Sequence, residues 1–471
     1  MSIIFKTNLI KLCRVTLYQN YRMSAPKCSV AICQFTATNN KENNLKIVKQ
    51  LVSEAAQKQA RIVFLPEASD YIATNKNEAK AFAEPLNGTL MNEYRNLAKT
   101  KKVWLSVGGF HELVKNENNE HQIFNTHVLI DDEGEINGVY KKLHLFDVSI
   151  PELNVNLRES DLNEAGRQLV PPVMTPAGPL ALAICYDLRF PELSIIQRKQ
   201  GASILTYPSA FTKATGILHW ETLLRSRAIE TQCYVIAAAQ YGKHNEKRTS
   251  YGQALIVDPQ GKIIAECPKY REGHETNQSI AIAEIDSNLI QKVRTEMPVF
   301  QHRRSDIYQL QVIGGEKIPI NDEETFSFAH KIIPASTVFY RTRHCYAFTN
   351  IRCVVPGHVL ISTMRCCKRL EDLTAEEVTD LFLTAVKVQK AVENEYSASS
   401  STLCVQDGKH AGQTIPHVHI HILPRKPNDF EVNDEIYDRL AKHDREESQE
   451  PLRNVAEMSQ EAEILRKYFY Q

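Results

Sequence analysis

The sequence predicts two consecutive domains, the first of the α/β class and the second of the α+β class. From residue 28 onward, apolar runs typical of strands alternate with amphipathic helical segments, and this alternation continues to residues 280–285. Beyond it, short strand-like runs surround one strong helical segment at residues 374–395. The chain of 471 residues is also longer than one hydrophobic core usually serves, which favours two domains.

Local signals place individual elements. A helix is predicted at residues 44–58, and two hairpins are predicted around the turn-forming residues 131–134 and 258–261. Thr374 followed by Glu377 forms a capping box, which predicts the start of the long helix in the second domain. The strands predicted in the first domain are residues 28–34, 61–65, 104–108, 180–184 and 280–285.

Changes in composition mark the domain limits. The first domain is predicted at residues 27–308 and the second at 325–471, because the linker at 309–324 has little apolar periodicity. Residues 1–26 contain basic but no acidic side chains, which predicts an organellar presequence or a disordered extension. We therefore expect a cytoplasmic protein, with an additional mitochondrial location if residues 1–23 act as a targeting segment.

Charge and cysteine content exclude several functional classes. The 56 basic and 56 acidic side chains cancel, so nothing in the charge favours nucleic acid or a membrane surface as partner. No apolar run approaches the roughly 18 residues of a membrane span. The 11 cysteines include no Cys-x-x-Cys pair, which argues against a disulfide framework and a structural zinc module. Small-molecule substrates are the expected partners.

Three histidines alternate with apolar residues in the second domain. As a strand, this segment places His417, His419 and His421 on one face, with Val418 and Ile420 on the other, buried face. Imidazole titrates at about pH 6.5, so one ring can attack phosphorus while its neighbours supply protons or hydrogen bonds. The row therefore favours phosphoryl or nucleotidyl transfer.

Two alternatives stay open for this row. Two histidines at alternate strand positions can share a zinc ion, but three cannot do so easily because the outer two lie about 13 Å apart. The row can also be exposed by chance, although strands seldom repeat an unusual residue without a function.

The row resembles that of the histidine-triad family, and its Fhit branch in particular. Gln406-Asp407-Gly408, Gln413 and Leu423-Pro424-Arg425-Lys426 match as well, and the resemblance covers residues 326–471. It implies an α+β domain with an antiparallel sheet that cleaves dinucleoside polyphosphates, typically diadenosine triphosphate, to AMP and ADP.

The resemblance also implies roles for individual residues. His419 is the expected nucleophile, which forms a nucleotidyl intermediate, His421 is the expected leaving-group acid and later base, and His417 orients it. Asn350 is expected to bind ribose and His358 to support the triad. The glutamines expected to contact phosphate are Gln406 and Gln413.

A divalent cation, Mg2+ or Mn2+, is the expected cofactor of the second domain. It is expected to bind with the substrate phosphates, because the triad offers no carboxylates to hold it. No metal held by the protein is expected.

Three chemically active residues follow predicted strands in the first domain. Glu67, Lys142 and Cys185 come at or near the ends of apolar runs, and such side chains can converge on one pocket. Glu67 can deprotonate a thiol, Cys185 can attack carbon, and Lys142 can stabilise an oxyanion. Taken alone, Cys185 is more commonly a buried core thiol. The set predicts amide cleavage through a thioester, without a cofactor.

The sequence around these residues resembles the nitrilase superfamily, and its Nit branch in particular. The resemblance covers residues 27–308 and implies an α-β-β-α sandwich with a Glu-Lys-Cys triad. Tyr186 stands where nitrile hydrolases usually have tryptophan, which favours amide substrates, and Nit relatives act on deaminated glutathione. The matching motifs are Phe64-Leu65-Pro66-Glu67, Tyr140-Lys141-Lys142-Leu143-His144 and Cys185-Tyr186-Asp187-Leu188-Arg189-Phe190-Pro191-Glu192.

Two assignments rest on alignment to this superfamily. Lys142 rather than Lys141 fits its Lys-x-His-Leu spacing. Glu159 stands where the superfamily has a second, supporting glutamate, and an ordinary surface carboxylate is the alternative.

Both halves together resemble the natural fusions of Nit and Fhit domains in invertebrates. The resemblance implies a bifunctional hydrolase that assembles as a homotetramer. An alternative from another class is an adenine-nucleotide-binding signalling module whose slow hydrolysis ends the bound state.

Overall fold

The chain folds into two compact units, which divide between Leu310 and Gln311. The computed structural model describes residues 27–116, 118–153, 155–274, 277–305, 307–312, 318–443 and 450–470. The predicted presequence or extension at residues 1–26 lies outside these residues. Among the helices that are described, none is long and apolar enough to span a membrane.

Two β-sheets form the centre of the first unit. Within its described part, one sheet contains the eight strands Cys28–Phe35, Ile62–Phe64, Trp104–Lys115, His121–Ile130, Ile136–Lys141, Ala239–Asn245, Arg248–Tyr251 and Ser279–Ile285. The other contains the six strands Val173–Thr175, Gly178–Leu182, Ile204–Thr206, Tyr234–Ala237, Leu255–Val257 and Ile263–Glu266. A separate hairpin pairs Asp147–Ile150 with Val155–Arg158. The α-helices are Lys41–Gln57, Lys76–Phe82, Thr89–Lys101, Pro191–Lys199, Lys213–Thr231 and Ser287–Glu296.

The first strand shows how the layers pack. Val30 and Ile32 share a core with Leu180 of the second sheet, whereas Ala31 and Cys33 share a core with the helices on the outer face. Because side chains alternate across a strand, this sheet is buried on both faces, one against the other sheet and one against helices. The predicted α-β-β-α sandwich is confirmed.

The predicted strands and hairpins are present with shifted ends. The strand predicted at residues 104–108 continues to Lys115, because it pairs along its length with His121–Ile130. Gly134, in the first predicted turn, has a φ of +84°, which favours glycine, and its N–H bonds to Asp131 O at 3.0 Å. The second predicted hairpin joins Leu255–Val257 to Ile263–Glu266.

The second unit is built on an antiparallel sheet, as predicted. In its described part the strand order is Val338–Arg341, Cys345–Thr349, Val359–Thr363, His419–Arg425 and Ser400–Cys404. A hairpin of Thr325–Phe328 and Lys331–Pro334 precedes the sheet. The helices are Ala375–Glu395, Glu435–Lys442 and Val455–Tyr470.

The predicted capping box is confirmed. Thr374 Oγ1 accepts the N–H of Glu377 at 3.2 Å, and Glu377 Oε2 accepts the N–H of Thr374 at 2.8 Å. The helix Ala375–Glu395 then packs Leu381 and Val388 against Ile420 of the histidine strand. The apolar alternate residues of that strand therefore face the core, as the sequence predicts.

Candidate active sites

The structure brings Glu67, Lys142 and Cys185 together in the first unit. Glu67 lies three residues beyond the strand Ile62–Phe64, and Lys142 directly follows the strand Ile136–Lys141. Cys185 opens a short 3-10 turn after a strand of the other sheet. All three side chains are buried. Strand ends of both sheets thus supply one site.

The Lys142 ammonium joins two carboxylates in this site. Its Nζ lies 2.9 Å from Glu67 Oε1 and 2.8 Å from Glu159 Oε2. Asn125 Nδ2 donates to Glu67 Oε1 and to Glu159 Oε1, both at 2.9 Å. Lys141 instead lies 3.9 Å from the centre of the Phe124 ring, outside this cluster. Glu159 is therefore a partner of Lys142 in the structure rather than a solvated surface carboxylate.

Charge and burial fix the protonation of the cluster. Burial raises the pKa of Glu67, but the cations Lys142 and Arg248 outweigh it and hold this pKa below its ordinary value. Burial lowers the pKa of Lys142, but Glu159 and Glu67 outweigh it and raise this pKa. Burial and the Glu67 charge raise the pKa of Cys185. The resting site therefore contains the Glu67 carboxylate, the Lys142 ammonium and the neutral Cys185 thiol.

The candidate nucleophile lies on a strained turn. Cys185 has a φ of +44°, in the left-handed region that non-glycine residues rarely adopt. Its N–H bonds to Pro208 O at 3.0 Å. The buried carboxylate of Asp187 accepts the N–H of Ile184 at 2.9 Å and so holds the residue that precedes the nucleophile. These contacts keep the Cys185 backbone in its unfavourable conformation.

Asn125 and Asp187 are site residues that the sequence reasoning missed. Asp187 stands inside the motif that carries the superfamily resemblance, which is the signal that points to it. Asn125 lies within the strand His121–Ile130 with no such signal, because its contacts depend on the pairing of distant strands.

A cavity of about 300 Å³ opens beside the cluster, large enough for a small substrate. Its wall combines the catalytic candidates with aromatic and basic side chains. They include Phe146, Tyr186, Arg158, Arg189, Phe211 and Arg248.

The histidine row of the second unit differs from the prediction at its first residue. The strand begins at His419, which pairs with Ser362, whereas His417 lies before the strand. Pro416 has no N–H to offer the sheet, and the His417 N–H bonds back to Ile415 O at 2.8 Å. The prediction that His417 is part of the strand is therefore wrong, although its side chain is still buried.

Hydrogen bonds fix the tautomers of His417 and His419. His419 Nδ1 lies 2.7 Å from His417 O, so Nδ1 must donate, and in the neutral ring Nε2 carries a lone pair. His417 Nδ1 accepts the N–H of Ala329 at 3.2 Å, so its Nε2 donates to Thr363 Oγ1 at 3.1 Å. The candidate nucleophile thus has the tautomer needed for attack through Nε2.

His358 sets the tautomer of His421 in the same way. His358 Nδ1 accepts the N–H of Val354 at 3.2 Å, so His358 Nε2 donates to His421 Nδ1 at 3.0 Å. His421 then carries its proton on Nε2, a buried atom that has no partner among the described residues. Burial, followed by the charges of neighbouring histidines, lowers the pKa of His421 well below its ordinary value. A neutral His421 with an available N–H can donate to a leaving group.

The residues predicted to bind ribose or phosphate, Asn350, Gln406 and Gln413, lie in three different surroundings. Asn350 is buried, with Nδ2 3.4 Å from both ring nitrogens of His358. Gln406 is buried and packs close to Gly412, because a Cβ atom added to that glycine would lie only 3.1 Å from Gln406 Nε2. Gln413 accepts the N–H of Gly408 at 3.1 Å and donates to a backbone carbonyl, so its amide supports the loop. Contacts of these residues with ribose or phosphate stay predictions.

A buried group of three histidines could offer nitrogen ligands to a metal, but it is not the triad. Among the described residues, this group is His358, His421 and His443, with ligand atoms within 4.8 Å of one another. Both ring nitrogens of His358 already take part in hydrogen bonds, with the N–H of Val354 and with His421. A metal would have to displace one of these bonds, so the group is not a preorganised site with three available nitrogens.

Comparisons with known proteins agree with both units. The family described as "Carbon-nitrogen hydrolase" matches residues 29–295, and that described as "HIT domain" matches residues 333–428. The mouse "Deaminated glutathione amidase" is 50% identical over 279 residues, which is 59% of this chain and 84% of that protein. The chain therefore carries a carbon-nitrogen hydrolase domain followed by a HIT domain.

Similarity also extends across both units at once. The Caenorhabditis elegans "Nitrilase and fragile histidine triad fusion protein NitFhit" is 47% identical over 444 residues, covering 94% of this chain and 97% of that protein. The crystal structure of the C. elegans NitFhit protein matches with a TM-score of 0.82 and 44% identity, over 95% of this chain and 100% of that one. The chain therefore belongs to the NitFhit family, in which a carbon-nitrogen hydrolase domain precedes a HIT domain.

Proposed function

We propose that the first unit is an amidase that hydrolyses small amides, such as deaminated glutathione, through a thioester on Cys185. The observation that supports it most strongly is the position of the Lys142 ammonium between Glu67 and Glu159, beside the nucleophile. This group can stabilise negative charge that develops on the substrate oxygen. The amidase relatives name the substrate class.

The reaction follows from the resting protonation. Glu67 takes the thiol proton of Cys185 as sulfur bonds to the amide carbon, and Lys142 stabilises the oxyanion. The C–N bond then breaks, and the departing nitrogen takes the proton from Glu67. Ammonia is released, and the acyl group stays on Cys185 as a thioester. Water next gives a proton to Glu67 and attacks the thioester, and the C–S bond breaks to release the acid and restore the thiol.

Ammonia release tests this proposal. The purified full chain should release ammonia from deaminated glutathione, and rapid acid quenching should reveal a protein mass increased by the acyl group. The Cys185→Ser variant should not turn over through a thioester. Absence of ammonia from every amide tested would contradict the proposal.

We infer that the second unit is a bis(5'-adenosyl)-triphosphatase. His419 Nε2 attacks the α-phosphorus of diadenosine triphosphate, the bond to the bridging oxygen breaks, and ADP leaves as an anion whose new terminal oxygen accepts a hydrogen bond from His421 Nε2–H. Water then displaces His419 to release AMP, and its proton passes to the solvent. The observation that carries this proposal is the hydrogen bond from His419 Nδ1 to His417 O, which leaves Nε2 as the attacking nitrogen.

Chromatography should show equal amounts of ADP and AMP, and a quenched sample should contain nucleotidylated His419.

We also propose that Mg2+ or Mn2+ assists this reaction by binding the substrate phosphates. Contacts of the triad rings include imidazoles, backbone groups, a hydroxyl and Phe328, whereas Mg2+ prefers a set of oxygen ligands such as the substrate phosphates. Excess chelator should therefore lower turnover of diadenosine triphosphate. Full activity in chelator would contradict a metal role.

Assembly is a proposal from the family resemblance, and location is a proposal from the composition of the sequence. A homotetramer should give a light-scattering mass four times that of the chain, and a monomer at assay concentration would contradict it. We propose a cytoplasmic location, with mitochondrial import through residues 1–23. Deletion of those residues should abolish a mitochondrial signal and leave both activities intact.

A further inference from the structure

Arg248 differs from the other basic side chains of the amidase cavity. Among the described residues it has no hydrogen-bond or ion-pair partner, and its Nε is buried without one. The other basic side chains of the cavity wall each have a partner. These pairs are Lys142 with Glu67 and Glu159, Lys76 with Asp161, Arg158 with Asp161, and Arg189 with His219.

The backbone holds Arg248 in a defined place. It is the first residue of the strand Arg248–Tyr251 and pairs with Asn245 of the neighbouring strand. Asn245 Nδ2 lies 3.4 Å from Ala73 O, in a segment that lines the same cavity. The guanidinium is thus attached to a paired strand at the cavity wall, which limits its freedom before a ligand binds.

An unpartnered guanidinium at a cavity wall indicates an anionic ligand. Arg248 is half-buried, but its Nε is fully buried, and burying this donor without a partner is unfavourable; the cost is removed if a ligand supplies the acceptor. The planar fork of arginine matches a carboxylate in two parallel hydrogen bonds. The neighbouring carboxylate, Glu67, is already occupied by Lys142, Asn125 and the N–H of Ala210.

We infer that Arg248 forms a carboxylate-binding subsite, so that the amide hydrolysed at Cys185 also carries a free carboxylate. The inference rests on the proposed amidase activity and adds a selectivity to it. The rival role is purely electrostatic, because Arg248 also helps to lower the pKa of Glu67. A carboxylate subsite discriminates between substrates, whereas an effect on Glu67 acts on all amides equally.

Two amides of equal chain length separate these roles. Glutaramate carries a carboxylate where pentanamide carries a methyl group. The quantity to compare is kcat/KM for glutaramate divided by kcat/KM for pentanamide. We expect Arg248→Met to lower this ratio by about 10-fold to 100-fold, because the substitution removes one charge-assisted bidentate contact. Arg248→Lys should recover part of the ratio. The matched control Arg158→Met removes another arginine of the same cavity wall and should keep the ratio.

Equal losses for both amides in Arg248→Met would overturn the subsite. If the unsubstituted protein releases ammonia from neither amide, the amidase proposal fails, and binding decides the inference instead. Calorimetry with glutarate and the Cys185→Ser protein should then show binding that Arg248→Met removes. No glutarate binding to Cys185→Ser, or equal binding after Arg248→Met, would contradict the subsite.

Discussion

The buried carboxylate of Asp187 accepts a hydrogen bond from the backbone N–H of Ile184, the residue directly before Cys185, at 2.9 Å. The same carboxylate accepts the Tyr140 hydroxyl at 2.8 Å, and it lies 2.7 Å from His144 Nδ1. Tyr140 and His144 flank Lys142 in the chain. One side chain therefore holds both the turn that carries Cys185 and the segment that carries the lysine.

Asp187→Asn should lower the kcat of amide hydrolysis by about 100-fold with little change in KM, because misplacing groups by about 1 Å costs that much in rate. An asparagine keeps one acceptor oxygen but places an NH2 group against the remaining donors. The rate of Cys185 alkylation by iodoacetamide should fall as well. Both rates can be measured on protein shown by circular dichroism to be folded.

The control for Asp187 is Asp258→Asn. Asp258 is a buried carboxylate that accepts the backbone N–H groups of Gln260 and Lys262 in a turn, and it does not line the cavity. Its loss should reduce stability without changing the alkylation rate. Equal effects of both substitutions on kcat would show that Asp187 acts only through stability.

Glu159→Gln should reduce amidase kcat by about 10-fold to 1,000-fold, because it removes an anion that orients Lys142 and raises its pKa. Glu159 Oε2 also accepts the N–H of Phe146 at 2.8 Å, so the loop beside the cavity loses a fixed acceptor. The rate is measured as ammonia release over a range of pH. Glu164→Gln, an exposed glutamate nearby, is the control, and an equal loss there would contradict the role of Glu159.

The sequence contains more information about strand ends than about the contacts between them. The positions of Glu67 and Cys185 after apolar strands, and the capping box at Thr374, depend on residues close in the chain. Such local patterns fix where an element begins or ends. This is why the two folds could be predicted, and why the candidate nucleophiles could be placed at strand ends.

The supporting contacts could not be predicted in this way. Asn125 joins Glu67 to Glu159 only because the strand pairing brings these three residues together across gaps of 58 and 34 positions. The start of the histidine strand at His419 depends on the partner strand, which begins its ladder at Ser362. Strand register across such distances is set by packing of the whole sheet, not by alternation in one segment.

The first unit should lose stability when the pH falls below 6.5. Burial lowers the pKa of His127 to about 4 and of His244 to about 3, so in this range the unfolded chain binds more protons than the folded one. Both histidines contribute their full stabilisation at pH values above about 6.5, the pKa of histidine in the unfolded chain. This contribution is lost as the pH falls from about 6.5 toward their folded-state pKa values. From pH 7.5 to pH 5.5 the two groups together should cost about 2–3 kcal/mol.

Urea unfolding followed by tryptophan fluorescence checks this, because both tryptophans, Trp104 and Trp220, lie in the first unit. His127→Gln should flatten the pH dependence by about half. His274→Gln, which changes an exposed histidine, should leave it unaltered. A stability that does not change between pH 7.5 and 5.5 would contradict the prediction.

The two active sites should be chemically independent, because each unit supplies its own nucleophile and its own proton-transfer groups. His419→Ala removes the attacking nitrogen and should reduce hydrolysis of diadenosine triphosphate by about 1,000-fold or more, with no nucleotidyl intermediate. Amidase turnover should stay within about twofold, since none of the amidase candidates is changed by this substitution. His410→Ala, an exposed histidine of the same unit, is the control and should keep both activities.

Cys185→Ala provides the reciprocal test. It should abolish thioester formation and ammonia release, because the side chain that bonds to the amide carbon is absent. Cleavage of diadenosine triphosphate should persist, since the histidines of the second unit take their tautomers from contacts within that unit. Measuring both reactions on each variant, with circular dichroism to establish folding, gives four rates. Loss of both activities from either single substitution in folded protein would mean that the two reactions share a site or are coupled.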